Sequence, residues 1–297
     1  MKRVLTAAVL IPLVLLAVFR APWWLFALLI AVVIALSLYE YLNITRGYGI
    51  EPLVLPTYGW VILFLLANFA FQGELGQYMH PLNLVAFIPI FFGLPVVFRR
   101  DLRMALAASA VSAFAIFYLV VPLYLLADLR SNRGEAFLII FILFSVWAGD
   151  TAAYYAGRAF GRHKLAPIVS PNKSWEGAIA SVIASVAVAL LVFCFAIQIQ
   201  ELFPTPSTSW ETPSSSPRNM PAMYWVHAFV LGLLTNAAAQ FGDLFESALK
   251  RGAQIKDSGS LLPGHGGILD RIDALLFAIP VVWYYARATE LFLFVAR

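Results

Sequence analysis

Stretches of predominantly apolar residues, each long enough to form a helix across a bilayer, recur from one end of this chain to the other. Crossing about 30 Å of hydrocarbon takes roughly 20 helical residues. Nine runs meet that measure, over residues 4–19, 23–42, 53–71, 82–98, 104–127, 136–157, 177–199, 224–241 and 268–286. Together they claim most of the 297 residues and leave no room for an independent soluble domain. The runs are continuous rather than alternating, and an open sheet edge in lipid would leave backbone groups unpaired. The expected fold class is therefore all-α, a polytopic integral membrane protein of about nine transmembrane helices.

Composition supports that solvent. Only 12% of the residues are charged and 62% are hydrophobic, against about 25% charge in soluble domains. Disorder and disulfide scaffolds are excluded as well, since the single Cys194 lies in an apolar run and has no partner for an intramolecular bridge. The net charge of +4 would hint at nucleic acid in a soluble protein. Here distribution matters more than the sum, and no nucleic-acid partner is expected.

Basic residues of membrane proteins collect in cytoplasmic loops. With a cytoplasmic N-terminus, 14 of the 20 Lys and Arg residues fall inside, so the N-in, C-out orientation is expected. The first run follows Met1-Lys2-Arg3 but ends without an A-x-A cleavage pattern, and another run follows at once, so it is expected to be a span rather than a signal peptide. Residues 200–223, rich in Pro, Ser and Thr, read as an external connection of irregular structure. Asn43-Ile44-Thr45 and Asn172-Lys173-Ser174 match the glycosylation sequon but lie on the cytoplasmic side, and count as chance matches. The chain reads as a single transmembrane domain over 1–297, with N-terminal spans in 1–135. Spans in 136–297 carry two polar cytoplasmic loops, 158–176 and 246–267, where any chemistry should sit.

The densest constellation runs from Ser247 to Asp273. Just upstream, Asp243 and Glu246 stand at i, i+3 near the inner end of the eighth run; Asp270 and Asp273 repeat that spacing at the start of the ninth. Acids at a span end are costly and need partners. Hard divalent cations such as Mg²⁺ take one or two carboxylates, with water and substrate phosphates completing the shell. Phosphates in turn favour Lys, Arg and helix N-termini. Lys250, Arg251, Lys256 and the Pro263-Gly264-His265-Gly266-Gly267 turn supply such groups, so the cluster has the parts of a metal-assisted phosphate site.

This run resembles the signature of the phosphatidate cytidylyltransferases (CDP-diacylglycerol synthases), S-x-x-K-R-x4-K-D-x5-P-G-H-G-G-x2-D-R-x-D, at every fixed position. The likeness extends to Asp150–Arg162 and to Ser170–Gly177, where the family often has Lys and Thr in place of Asn172 and Ser174. Over the first 130 residues it is mainly one of hydropathy. The resemblance implies an enzyme of the bacterial cytoplasmic (inner) membrane, its active site facing the cytoplasm. It would convert CTP and phosphatidate to CDP-diacylglycerol and pyrophosphate, require Mg²⁺, involve K⁺, and form a homodimer in membrane lipid. Carried over by position, Asp243 and Asp270 are the metal ligands. Lys250, Lys256, Asp257, His265, Arg271 and Asp273 are the implied catalytic set, and Asp150, Lys173, Ser174, Ser247, Arg251, Gly266 and Gly267 bind substrate. Lys250, Lys256 and Arg271 would meet phosphates, and Asp273 would orient Arg271 or a metal-bound water. His265 stays open between a CTP contact and shaping of its loop.

Two rival readings remain at this stage. A transporter would use Asp150, Asn236, Gln240 and Asp243 to line a path, but the charges gather at one interface rather than at the midplane. Another CTP-using membrane enzyme, such as a lipid kinase, would release CDP instead of pyrophosphate. No soluble nucleotide-binding loop is present in the sequence.

Overall fold

The computed structural model describes residues 2–69, 87, 89–93, 97, 102–131, 137–201, 222–261 and 266–289. Its helices are α1 (Lys2–Arg20), α2 (Trp23–Gly47), α3 (Val54–Phe69), α4 (Ala105–Ala115), α5 (Val121–Ser131), α6 (Phe137–Phe160), α7 (Trp175–Cys194), α8 (Ala196–Glu201), α9 (Ala222–Gly252) and α10 (Leu269–Ala288). A π-helical turn, Ile116–Val120, joins α4 to α5, and another spans Pro89–Gly93. The architecture is all-α, as expected. Within the 158–176 loop two short antiparallel strands, β1 (Lys164–Ala166) and β2 (Ser170–Ser174), pair Lys164 with Ser174 and Ala166 with Ser170.

Five helices among the described residues are long and apolar enough to cross a membrane: Trp23–Gly47, Ala105–Arg130, Phe137–Phe160, Trp175–Cys194 and Ala222–Gly252. They match five of the nine expected runs. Val54–Phe69 is a shorter apolar helix of 16 residues. The ninth run forms the 20-residue α10, whose ends carry Asp270, Arg271, Asp273 and Arg287. Most of the expected fourth run, and most of the 200–223 connection, lie outside the described residues. Large apolar side chains stand exposed on the helices, Leu106 and Ile183 among them, which is costly in water and natural in hydrocarbon.

The chain divides into two compact units. The smaller comprises Ala27–Leu123 and Leu249–Asp270. Ile34, Leu38, Tyr41 and Leu42 of α2 are buried there, and Tyr41 donates to the Val111 carbonyl of α4 at 3.2 Å. Tyr58 of α3 donates to the Ala35 carbonyl at 2.9 Å, and the Leu53 N–H donates to Ser112 Oγ at 2.8 Å. The end of α2 meets the end of α9, where Tyr48 donates to the Leu249 carbonyl at 2.8 Å. That end of α9 closes in a Schellman motif: Ile255 N–H reaches the Lys250 carbonyl at 2.9 Å and Gln254 N–H the Arg251 carbonyl at 3.0 Å. Gln254 takes φ 59° at the reversal, so the chain turns back immediately past Lys250 and Arg251.

The larger unit comprises Met1–Phe26, Tyr124–Ala248 and Arg271–Arg297. Between helices in lipid the hydrophobic effect adds little, so small residues and interhelical hydrogen bonds do the joining. Asn236 of α9 donates to Ser181 Oγ and Ser185 Oγ of α7, both at 2.8 Å, while Ser185 donates to the Ser145 carbonyl of α6 at 2.7 Å. Gly149 of α6 faces these three side chains with no room for a Cβ. Farther along, Trp283 Nε1 and Arg287 of α10 both donate to Asp128, at 2.7 and 3.1 Å.

Candidate active site

Lys250 lies on the last turn of α9, and Asp270 is the second residue of α10. Both belong to the smaller unit. Lys250 Nζ meets Asp270 Oδ1 at 2.5 Å, with side chains only 12% and 7% exposed. Asp270 Oδ2 accepts from Ser258 N–H and Ser258 Oγ, each at 3.0 Å, and from Gly267 N–H at 2.8 Å. Four donor atoms thus fix the Asp270 carboxylate in one geometry.

The glycines of the signature explain how the loop reaches that geometry. Gly266 takes φ 77°, a left-handed conformation that side-chain-bearing residues rarely adopt. A Cβ on Gly267 would collide with Ser258 Oγ and with a carboxylate oxygen of Glu40. Glu40, on α2, is 1% exposed. Its Oε1 accepts from Ile268 N–H at 3.0 Å; its Oε2 accepts from Leu269 N–H at 2.8 Å and from Ser258 Oγ at 3.0 Å. Neither Glu40 nor Ser258 was among the residues singled out from sequence. The available signal was an acid inside an apolar span, which calls for a partner.

Lys256 and Asp257 are exposed on the loop beyond α9. Arg251 is exposed too, and its guanidinium reaches back to the Ile255 carbonyl at 3.4 Å. His265, with the rest of 262–265, lies outside the described residues.

In the larger unit a second pairing forms. Lys173, on β2, places Nζ 2.6 Å from Asp243 Oδ2 of α9, with side chains 25% and 36% exposed. Ser247, one turn on, donates to Asp243 Oδ1 at a long 3.4 Å. Asp150 of α6 is exposed and lies within the fields of Asp243, Lys173 and Arg271. Arg271 is exposed on the first turn of α10, and the backbone carbonyl of Asp273, a half-buried residue, lies against Gly242 of α9. Glu246, which shares a helix face with Asp243 by spacing, is buried.

The β-hairpin is held to α7 by local bonds. Ser174 is buried at the N-cap of α7, where its hydroxyl accepts from Gly177 N–H at 3.2 Å. Glu176 accepts from the N–H and the ring Nδ1 of His163, the latter at 2.7 Å. These bonds set the strand from which Lys173 projects. Ser174 thus has a structural task at the start of α7.

Among the described residues no group of three or more His, Cys, Asp or Glu side chains converges as a metal cage. A Mg²⁺ site built on one or two carboxylates needs no such cage. Asp243 suits it better: it is the more open acid, already binds a cation, and its Oδ1 has only a long hydroxyl contact. At Asp270 the Oδ2 is saturated, so a metal would have to take Oδ1 in exchange for Lys250.

Helices of membrane length with exposed apolar faces define a multi-pass α-helical membrane protein, and lysine–carboxylate pairs mark the polar ends of its signature segments. Residues 1–289 match the cytidylyltransferase family, and the chain belongs to it. It is therefore a nucleotidyltransferase. The phosphatidate cytidylyltransferase of Haemophilus influenzae is 31% identical over 302 residues, covering 96% of this chain and 97% of the relative. That of Thermotoga maritima is 30% identical over 231 residues, 78% of each chain. The Brucella suis protein of the same name is 41% identical over 174 residues, 58% of this chain and 56% of its own.

Proposed function

We propose that this protein is a phosphatidate cytidylyltransferase. The phosphatidate phosphate oxygen attacks the α-phosphorus of CTP, the bond to the β-phosphate oxygen breaks, and CDP-diacylglycerol and pyrophosphate are formed. The observation that carries the reading is the Lys250–Asp270 pair, locked by the Ser258 and Gly267 contacts inside the 27-residue signature. Near neutral pH the phosphomonoester is largely dianionic, with a second pKa of about 6, so no strong base is needed to activate it.

The obstacle is bringing two polyanions together. Lys250, Lys256 and Arg271 are assigned to the phosphates, with Arg251 and Lys173 as further cations, and these charges offset the charge that develops on the bridging and leaving oxygens. Asp243 and Asp270 are the residues that would hold Mg²⁺, Asp243 with the more open carboxylate, and the ion would supply further neutralisation of phosphate charge. Asp150, Asp257, Asp273, Ser247 and His265 are assigned as further polar groups for the substrates. A K⁺ ion would serve as second cation, and the proposed working form is a homodimer in the bacterial inner membrane, N-terminus and active site cytoplasmic.

Purified protein given radiolabelled CTP and phosphatidate in mixed micelles should yield CDP-diacylglycerol and pyrophosphate, without a sealed compartment. Asp270→Asn should insert in membranes yet lose nearly all turnover. Release of CDP in place of pyrophosphate would identify a kinase and overturn the reading, and turnover at the wild-type level in Asp270→Asn would remove Asp270 from the site.

A further inference from the structure

We infer that Glu40 is a positioning residue for this reaction: its buried carboxylate holds the first turn of α10, and with Ser258 it fixes Asp270 opposite Lys250. The inference rests on the cytidylyl-transfer reading for its kinetic consequence, but its geometry stands on the smaller unit alone. The start of a helix leaves its first N–H groups without intrahelical partners. At α10 the residue before the helix is Ile268, which has no oxygen to offer. Side chains from elsewhere fill the gap. Gly267 N–H goes to Asp270 Oδ2, Ile268 N–H to Glu40 Oε1, Leu269 N–H to Glu40 Oε2, and Asp270 N–H to Ser258 Oγ at 3.3 Å.

Four consecutive N–H groups are therefore satisfied by three side chains, and Glu40 takes the two in the middle from a position 228 residues away in sequence. Ser258 Oγ lies 3.0 Å from both Glu40 Oε2 and Asp270 Oδ2. Its single proton serves one carboxylate at a time, so the hydroxyl couples the two. A carboxylate buried in a span is expensive unless its bonds are specific, and among the described residues the side-chain bonds of Glu40 go to Ser258, Ile268 and Leu269, in the segment that carries Asp270. Gly259 and Gly267 also lie against the Glu40 carboxylate with no space for a Cβ, so the loop is shaped around it.

Glu40→Gln is the sharpest variant. Both oxygens of Glu40 accept a backbone N–H, so the amide must turn its own NH₂ toward a donor and lose at least one bond. In the full-length protein, kcat is expected to fall about 10- to 100-fold, the usual effect of removing an outer-shell support. KM for CTP should move far less, because no contact to substrate is removed. Amide exchange measured by mass spectrometry should quicken in peptides covering 266–270. Glu40→Asp, which keeps both acceptors on a shorter arm, should recover part of both readouts.

If Glu40→Gln does not fold, Ser258→Ala decides. It leaves both Glu40 backbone bonds in place, so it should lower kcat while Ile268 and Leu269 keep their protection. Wild-type kcat together with wild-type exchange in Glu40→Gln, or wild-type kcat in Ser258→Ala, overturns the positioning role. Should the wild-type protein release no pyrophosphate, the reaction assignment fails by itself; exchange in Glu40→Gln still decides the structural claim, which unchanged rates at 266–270 would refute.

Discussion

Lys250 and Asp270 meet at 2.5 Å in a nearly closed setting, their side chains 12% and 7% exposed. Lys173 and Asp243, at 2.6 Å, make the same kind of contact in a more open one. Two lysine–carboxylate pairs of similar length thus differ in what surrounds them. The closed pair is tied into the fold by Ser258, Gly267 and Glu40; the open pair is held by a strand and a single helix turn.

Removing Lys250 should therefore hurt folding and activity together. Lys250→Met leaves the buried Asp270 carboxyl without its cation, and loss of one partner of a buried pair costs about 3–5 kcal/mol. The three remaining donors on Oδ2 soften that figure, so a lowering of the unfolding midpoint by several degrees in detergent is expected. Turnover should fall by about 10²-fold or more if Lys250 meets phosphate as proposed. A thermal melt beside a pyrophosphate-release assay checks both.

Asp243 should behave differently. Chelation of divalent cations is expected to silence the wild-type protein and Mg²⁺ to restore it. In Asp243→Asn the Mg²⁺ concentration for half-maximal turnover should rise about tenfold or more. The unfolding midpoint should stay close to wild type, because this half-exposed pair is open to water and ion pairs at the surface contribute only about 0–1 kcal/mol. A Mg²⁺ titration of the variant that overlays the wild-type curve would take Asp243 out of the metal's coordination.

Ser174 separates a structural role from a substrate contact. Its hydroxyl caps α7 through Gly177 N–H and is buried. Loss of such a cap costs about 1 kcal/mol. Ser174→Ala should lower stability by that order while KM for CTP and for phosphatidate stay at wild-type values. A rise in either KM without loss of stability would return Ser174 to the substrate-binding set.

How much of this was legible in the sequence follows from what each residue needs. The spans were readable because hydrocarbon thickness fixes their length, and five of them stand where the apolar runs lie. The β1–β2 hairpin was not, since Ser170-Pro171-Asn172-Lys173-Ser174 has neither the alternation nor the β-branched content of a strand. The signature placed Lys250 and Asp270 in one stretch, but their pairing needs the reversal at Gln254, a position normally given to glycine. Glu40 was hidden by distance along the chain. Its partners begin at Ser258, and hydropathy alone registers it only as a blemish in an apolar run.

Space around the Glu40 carboxylate gives the last prediction, which compares two glycines. A methyl group at Gly267 would strike Ser258 Oγ and Glu40 Oε2, and neither can retreat, because both are tied to the first turn of α10. Overpacking of that kind costs about 1–3 kcal/mol, and the displaced carboxylates should lower turnover at least as far as Glu40→Gln does. Gly59, in the interior of α3, has nothing within 4 Å of an added Cβ and no left-handed backbone. There alanine restores helix propensity, a gain of up to about 1 kcal/mol. Gly59→Ala should match or exceed wild-type stability at full activity, while Gly267→Ala loses both. Equal melting midpoints and equal rates for the two variants would mean that the α10 cap tolerates displacement, and that the reaction does not depend on how tightly Asp270 is held.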